Sequence, residues 1–379
     1  MSMPTTLCPF FKRYLQRLYP KNPDAPVIKK VFIKSFLYYL YLNSFMKKIK
    51  YFIKMMRPRQ WFKSFYIIFG AIPAIFLTPY RPMLIPYLLL LGIINMILIQ
   101  GVIYSINDIA DIEKDKFHPK KKKRPLPSGK INKNEAKLFA LVLFLTAFVT
   151  GMLIDLRIAI IDILLVVINL IYSSKPIRLK DFKYWDIFIT AINFPLRVGV
   201  GWYLFEPYNE GKFQFLYKIT SNKIVSHSIQ ALFFNTPPRI INFSTTFSTV
   251  TLSFISMMGL TYFLAVFLLS LKRLGEKLWI KNPEKSRPVL GKYSPTSLKG
   301  IALFSFFVTI ISFFFLAYSL KISLILLTPY FIGLLWWYYK MTFKKDSPVK
   351  TPEDVFTKNK KFIGAGGVFL VLMLVLLLI

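Results

Sequence analysis

Cysteine is nearly missing from this chain: Cys8 is the only one among 379 residues. An intramolecular disulfide and a cysteine-built metal cluster are therefore excluded. Acidic residues are also few, 17 against 51 Lys and Arg, which leaves a formal charge of +34. Such an excess can signal nucleic acid as a partner. Here the basic residues sit between long apolar runs, where the topology of a membrane protein places them, so nucleic acid is not expected. The N-terminus (MSMPTTLCPFFKRYLQRLYPKNP) lacks the apolar core of a cleavable signal peptide.

Apolar sequence is abundant. Hydrophobic residues make up 55% of the chain and aromatics 17%, with a mean hydropathy of +0.48. These values describe an integral membrane protein. Hydropathy predicts nine helical spans, near 61–77, 83–106, 136–154, 156–172, 185–205, 247–271, 298–318, 321–340 and 362–379. Each is long enough to cross the hydrocarbon core. Asp155 and Arg157 mark a short turn that divides 136–172 into two helices. The fold class expected is all-α, with residues 57–379 as one nine-helix membrane domain.

Lys and Arg set the expected orientation. Segments 1–60, 107–135, 173–184, 272–297 and 340–361 hold 40 of them, and the alternate connections hold 7. This places the N-terminus in the cytoplasm and the C-terminus outside. Within the basic N-terminal region 1–56, residues 28–54 mix aromatics with lysines and predict an interfacial amphipathic helix. Residues 206–246 form a polar insertion on the outer side, where Pro237-Pro238 interrupts any continuous helix.

The chemistry concentrates at the end of the second span, in Asn107-Asp108-Ile109-Ala110-Asp111-Ile112-Glu113-Lys114-Asp115. Asp108, Asp111 and Asp115 follow i, i+3, i+7 spacing, which predicts three carboxylates on one helical face. Asn107 adds an amide oxygen one turn before Asp111. Like charges at a helix C-terminus repel one another and oppose the macrodipole, and a bound cation resolves both problems. Hard oxygen donors suit Mg²⁺, which commonly shares its shell with substrate phosphates. The run HPKKKKRP that follows supplies cations for phosphate oxygens out of the metal's reach.

Other basic clusters are expected on the same side. They are RPRQWFK (Arg57 to Lys63, with Arg59 inside it), YSSKPIRLKDFKYWD (Tyr172 to Asp186) and SLKRLGEKLW (Ser270 to Trp279). Arg197 lies well inside an apolar span, in NFPLRVGVG. A charge at that depth costs about 2.5–3.5 kcal/mol on insertion scales and faces a polar cavity.

The elements NDxxDxxxD, the Tyr-Ser and Arg-Leu-Lys loop and the nine spans together resemble the UbiA superfamily of intramembrane prenyltransferases. Most prenyl-transferring members carry a second Asp-rich motif after span six, where this chain has Lys272-Arg273-Leu274-Gly275-Glu276. That segment is similar to the decaprenyl-phosphate phosphoribosyltransferase branch. So are His118, Pro119, Lys121, Arg124, Pro125 and Gly129 of HPxKxxRPxxxG, RPRQW, and FPLRVGVG. The resemblance covers roughly residues 55–340. Ser64 departs from it, standing where that branch usually has Asn, and the 172–186 loop looks more like that of archaeal-type prenyltransferases.

The resemblance implies a bundle with a lateral lipid groove. It also implies Mg²⁺-dependent transfer of ribose 5-phosphate from phosphoribosyl diphosphate to a polyprenyl phosphate. The alternative is prenyl transfer from a prenyl diphosphate to an aromatic or glycerol-phosphate acceptor. Asp108, Asp111, Asp115 and Asn107 are the expected metal ligands. Lys121 and Arg124 are the expected diphosphate or 5-phosphate clamps; Lys180, Lys272 and Arg273 meet the remaining phosphates. Arg59, Lys63, Asn107, His118, Tyr172 and Asp186 complete the substrate-binding set. Arg197 is expected to neutralise the acceptor phosphate, and Glu276 to orient a ribose hydroxyl or a lysine. His118 fits a loop-ordering residue better than a catalyst, and Asp181 and Asp186 fit either a residual metal motif or a structural role. Beyond these substrates the partners are the membrane and, as an open option, a second copy in a homo-oligomer. A transporter is disfavoured because polar residues gather at one face.

Overall fold

The computed structural model describes residues 45–77, 85–119, 121–205, 243–280, 287–344 and 359–378, together with Tyr38, Asn282, Glu284, Val349 and Val355. The chain divides into two compact units, Met1–Lys54 and Met55–Ile379. In the first, 45–54 are helical; most of the expected amphipathic helix and nearly all of the 206–246 insertion lie outside the described residues.

The second unit contains α1 (Ile67–Phe76), α2 (Ile85–Ala110), α3 (Ile112–Phe117), α4 (Lys133–Ile154), α5 (Leu156–Ser173) and α6 (Trp185–Leu204). It continues with α7 (Phe243–Trp279), α8 (Pro295–Leu320), α9 (Thr328–Met341) and α10 (Lys360–Leu378). No strand occurs among the described residues. Among the described residues, eight helical segments are long and apolar enough to cross a membrane, α9 being joined to the 3-10 segment Ile322–Leu327. The first expected span is not among them. Residues Pro58–Tyr66 wind as a 3-10 helix and only Ile67–Phe76 is α-helical, so the expected single helix over 61–77 is corrected to two pieces.

Capping residues explain several boundaries. Asn132 starts α4 with a reciprocal capping box: its side chain accepts from the Glu135 N–H at 2.7 Å, and Glu135 accepts from the Asn132 N–H at 3.0 Å. Asp155 ends α4 and caps α5, accepting from the Arg157 N–H at 2.8 Å, as the expected turn requires. Ser294 caps α8 just before Pro295 at its first turn.

Large apolar side chains such as Leu138, Leu141, Leu145, Phe304 and Phe307 stay exposed on helix faces, which is stable only against lipid. Two interior clusters hold the bundle together. One packs α1, α2, α5 and α6 around the fully buried Trp202; the other packs α6, α7, α8 and α9 around Phe267 and Tyr338. Aromatics of α8 and α9 divide between the two environments. Phe314, Phe315 and Trp336 are exposed, whereas Phe313 and Tyr338 are interior.

Candidate functional site

The acidic motif straddles a break. α2 ends at Ala110, Asp111 leaves helical geometry at φ −108° and ψ 8°, and α3 begins at Ile112. The expectation of three carboxylates on one face is thereby corrected. Asp108 and Asp115, seven residues apart, are both buried and share Arg124, whose Nη1 donates to them at 3.0 and 2.8 Å. Asp111 turns instead to the loop after α5. There Arg178 Nη2 donates to one of its oxygens and Lys180 Nζ to the other, each at 2.7 Å.

Lys121 Nζ also reaches Asp115, at 3.1 Å. Asp108 further accepts from Arg57, whose guanidinium lies 4.4 Å over the Tyr104 ring. Arg57 and Arg178 lie 51 and 67 residues from the carboxylates they hold, in the two basic clusters from which Arg59, Lys63 and Lys180 were expected instead. Both stand in left-handed backbone, at φ 53° and φ 46°. That conformation costs a non-glycine residue roughly 1–2 kcal/mol, which the buried charge pairs offset.

The remaining expected residues occupy three positions. Asn107 does not face the carboxylates; its Oδ1 accepts from Ser173 Oγ at the end of α5. His118 is exposed, and its Nδ1 accepts from the Lys121 N–H at 3.3 Å, which orders the basic loop. Arg59 is exposed, and Lys63 Nζ donates to Gln60 Oε1 at 3.3 Å. Gln60 also accepts from Tyr104, and Gln100 bridges the Gln60 carbonyl and the Tyr104 hydroxyl at 2.9 Å each. Ser64 donates to Gln100 at 3.2 Å, so the departure at Ser64 is absorbed into this network.

A second polar cluster joins α6, α7 and the segment before α8. Asp186 is fully buried, accepts from Arg273 Nε at 2.8 Å and from the Tyr293 hydroxyl, and has Arg287 at 3.6 Å. Glu276 pairs with the same Arg273 at 3.1 Å, which gives it a positioning contact with Arg273. Tyr172 lies within electrostatic reach of Arg273. Lys272, beside it, is half-buried and has no hydrogen bond or ion pair among the described residues; Arg273, Arg287, Lys63 and Glu276 surround it electrostatically. Arg197 is buried in α6 with Tyr104 and Tyr66 as its electrostatic neighbours and no ion pair among the described residues.

Charge is tuned outside the spans as well. Burial pushes the Asp111 carboxyl up, but Lys180 and Arg178 outweigh it and hold it below the usual carboxylate range. Burial wins at the Lys180 ammonium, which is pushed down with help from Arg178. Burial, then the hydrogen bond to Asp186, pushes the Tyr293 hydroxyl up and keeps it a donor.

Among the described residues no three His, Cys, Asp or Glu side chains converge as a metal cage. The Arg124 nitrogen between Asp108 and Asp115 nevertheless marks a point where two hard carboxylates hold one positive charge. That donor chemistry fits Mg²⁺. An apolar cavity of about 300 Å³ runs between the α1 side, at Phe62, Phe65, Tyr66 and Phe69, and α10, at Leu370, Met373 and Leu374. Tyr66 lines this cavity and neighbours Arg197.

An apolar helical bundle with acidic and basic residues gathered at one end, beside a groove fit for a lipid chain, defines an intramembrane transferase. The UbiA prenyltransferase family model matches residues 67–359, and the chain belongs to that family. One relative is the digeranylgeranylglyceryl phosphate synthase of Saccharolobus solfataricus, 38% identical over 100 residues, 25% of this chain and 34% of that protein. Another is the decaprenyl-phosphate phosphoribosyltransferase of Mycolicibacterium smegmatis, 27% identical over 150 residues, 39% of this chain and 46% of that protein. The chain thus spans less than half the length of either relative.

Two solved structures are similar. A UbiA homologue from Archaeoglobus fulgidus bound to GPP and Mg²⁺ superposes with a TM-score of 0.54 at 15% identity, over 87% of this chain and 100% of that one. A digeranylgeranylglyceryl phosphate synthase superposes with a TM-score of 0.55 at 18% identity, over 88% and 96%. At these identities the likeness shows the fold.

Proposed function

We propose that this protein transfers ribose 5-phosphate from phosphoribosyl diphosphate to a polyprenyl phosphate at the cytoplasmic face of the cell membrane. One observation carries this reading over other chemistry of the family. The C-terminal end of α7 presents Lys272 with no ion pair among the described residues, and the acid near it, Glu276, is taken up by Arg273. A donor with a second phosphate needs a cation there, where a second metal would need free carboxylates.

Asp108 and Asp115, which already share one positive charge on Arg124, would hold Mg²⁺, with Asp111 beside them on Arg178 and Lys180. When bound, it supplies neutralisation of the charge that develops on the departing diphosphate. Arg57, Lys121, Arg124, Arg178 and Lys180 are N–H donors already gathered at the motif. They are suited to hold diphosphate oxygens as the anomeric C–O bond breaks. Lys272, with Lys63 and Arg287 around it, takes the 5-phosphate. Arg197, beside Tyr66 of the apolar groove, takes the acceptor phosphate. An acceptor oxygen already ionised attacks the anomeric carbon, so no strong base is required. The basic region 1–56 serves as an interfacial anchor.

The second reading is prenyl transfer to a glycerol-phosphate lipid, favoured by the 38% identity to a digeranylgeranylglyceryl phosphate synthase. A donor screen separates the two. Purified protein with Mg²⁺, phosphoribosyl diphosphate and a C50-type polyprenyl phosphate releases diphosphate and yields a labelled lipid. Turnover with prenyl diphosphates alone overturns the phosphoribosyl reading.

A further inference from the structure

Asn95 on α2 and Asp162 on α5 are both fully buried inside the bundle. Thirteen residues of α2 separate Asn95 from Asp108, about 20 Å along the helix axis, so this pair lies apart from the site above. Asn95 Nδ2 donates to Asp162 Oδ2 at 3.0 Å, to the Ala147 carbonyl at 2.8 Å and to Thr150 Oγ1 at 3.2 Å. Asn95 Oδ1 and Asp162 Oδ1 have no hydrogen-bond partner among the described residues.

The hydrogen count shows what is missing. The amide supplies two protons to three surrounding oxygens, and the Thr150 hydroxyl is directed to the Ala147 and Thr146 carbonyls of its own helix. Two acceptors are left over, together with one uncompensated negative charge. Charged groups on the packed elements do not supply it. Arg157, in the first turn of α5, is committed to Asp155 at 2.9 Å and lies over the Tyr203 ring. Arg197 and Asp186 of α6, Asp108 of α2, and Lys133, Glu135 and Lys137 at the far end of α4 make no hydrogen bond or ion pair with Asp162; Asn95 is the one side chain that acts on it. An ionised carboxylate left this way in an apolar interior is prohibitive.

We propose that Asp162 and Asn95 form a proton-binding site within the membrane-spanning bundle, with Asp162 carried as a neutral carboxylic acid. One proton on Oδ1 closes the count: the acid O–H donates to Asn95 Oδ1 while Asn95 Nδ2 donates to Oδ2. The result is a cyclic acid–amide pair that ties α2 to α5. A metal cation could also neutralise the charge, but the carboxyl packs tightly against α4. A Cβ added at Gly151 would lie 2.8 Å from Asp162 Oδ2, and an ion would need a fuller oxygen shell than two free acceptors.

Infrared difference spectroscopy tests the proposal on the full-length protein in lipid nanodiscs, labelled with ¹³C-aspartate. At neutral pH a carboxylic-acid C=O band is expected, shifting in D₂O and lost in Asp162→Asn. The amide of Asp162→Asn can repeat both hydrogen bonds, so that variant is expected to keep the wild-type melting temperature and donor turnover. If Asp162→Asn does not fold, Asn95→Leu serves instead and is expected to move the acid band, because the O–H loses its acceptor. A wild-type spectrum without an acid band overturns the proposal. So does a melting temperature that Na⁺ raises in the wild type and not in Asp162→Asn, which would make this a cation site.

Discussion

Gly70 on α1 and Gly201 on α6 face each other's backbones where the two helices cross. A Cβ on Gly70 would lie 1.8 Å from the Val198 carbonyl oxygen, and one on Gly201 would lie 1.8 Å from that of Ile67. The crossing is a backbone-to-backbone contact that only the absence of both side chains allows. It fixes α1, which carries Tyr66 and the 3-10 turns that deliver Arg57, against α6, which carries Arg197.

Gly201→Ala is therefore expected to force α1 and α6 apart, because backbone atoms cannot step aside as a flexible side chain can. The cost is at least about 2 kcal/mol, at or above the middle of the range for overpacked sites. A lowered midpoint of thermal unfolding in detergent, with Gly300→Ala as control, checks it. Nothing lies within 4 Å of a Cβ added at Gly300.

Arg197 offers the opposite signature. It is buried without an ion pair among the described residues, which costs stability; the proposed acceptor contact would account for its retention. Arg197→Met is expected to raise the unfolding midpoint while reducing kcat/KM for the acceptor about tenfold or more, the equivalent of ~1.4 kcal/mol of lost binding. A variant that loses stability and keeps its acceptor affinity would remove Arg197 from substrate contact.

Arg124 reaches two carboxylates with one guanidinium nitrogen and keeps further N–H groups for a ligand. Arg124→Lys keeps the charge and loses the planar fork. The donor KM is expected to rise about tenfold, as for a loss of ~1.4 kcal/mol, with kcat less affected. Initial-rate kinetics at varied donor concentration measure this directly.

Removing Arg273 strands Asp186, which is fully buried, with only Tyr293 and the more distant Arg287. Arg273→Ala should destabilise by about 3–5 kcal/mol, as for other broken buried pairs. Tyr293→Phe should cost about 1–2 kcal/mol through the one hydrogen bond it removes. Chemical-denaturant midpoints in mixed micelles rank the two.

The loop after α5 should respond to acid. Lys180 and Arg178 hold the Asp111 carboxyl below its ordinary range, so its stabilising contribution is full above the unfolded-state pKa, about 3.9. It fades only as pH falls through the lower folded value. The protection of amides 173–184, relative to their intrinsic exchange rates, is expected to be high at neutral pH and to fall below about pH 4. Asp111→Asn should show low protection at every pH.

Apolar length is a local property, and the spans from 83–106 to 362–379 were legible because a helix satisfies its own backbone in lipid. The turn at Asp155 is equally local. The first span misled for a related reason: a hydropathy window over 61–77 scores apolar content and cannot register that Pro58–Tyr66 winds as a 3-10 helix. The acidic motif was visible from its composition, but the even spacing assumed an unbroken helix through Asp111.

What the sequence determined alone was an all-α membrane chain with an acidic motif and basic loops at one end of its spans. Partnership was decided only by the tertiary structure. Arg57 and Arg178 reach the motif from distant segments, Asp111 parts from Asp108 and Asp115, and Arg273 takes Asp186 and Glu276. The physical reason is that burial and helix formation depend on neighbours along the chain. A charge in a low-dielectric interior depends on whichever opposite charge the packing brings within about 3 Å.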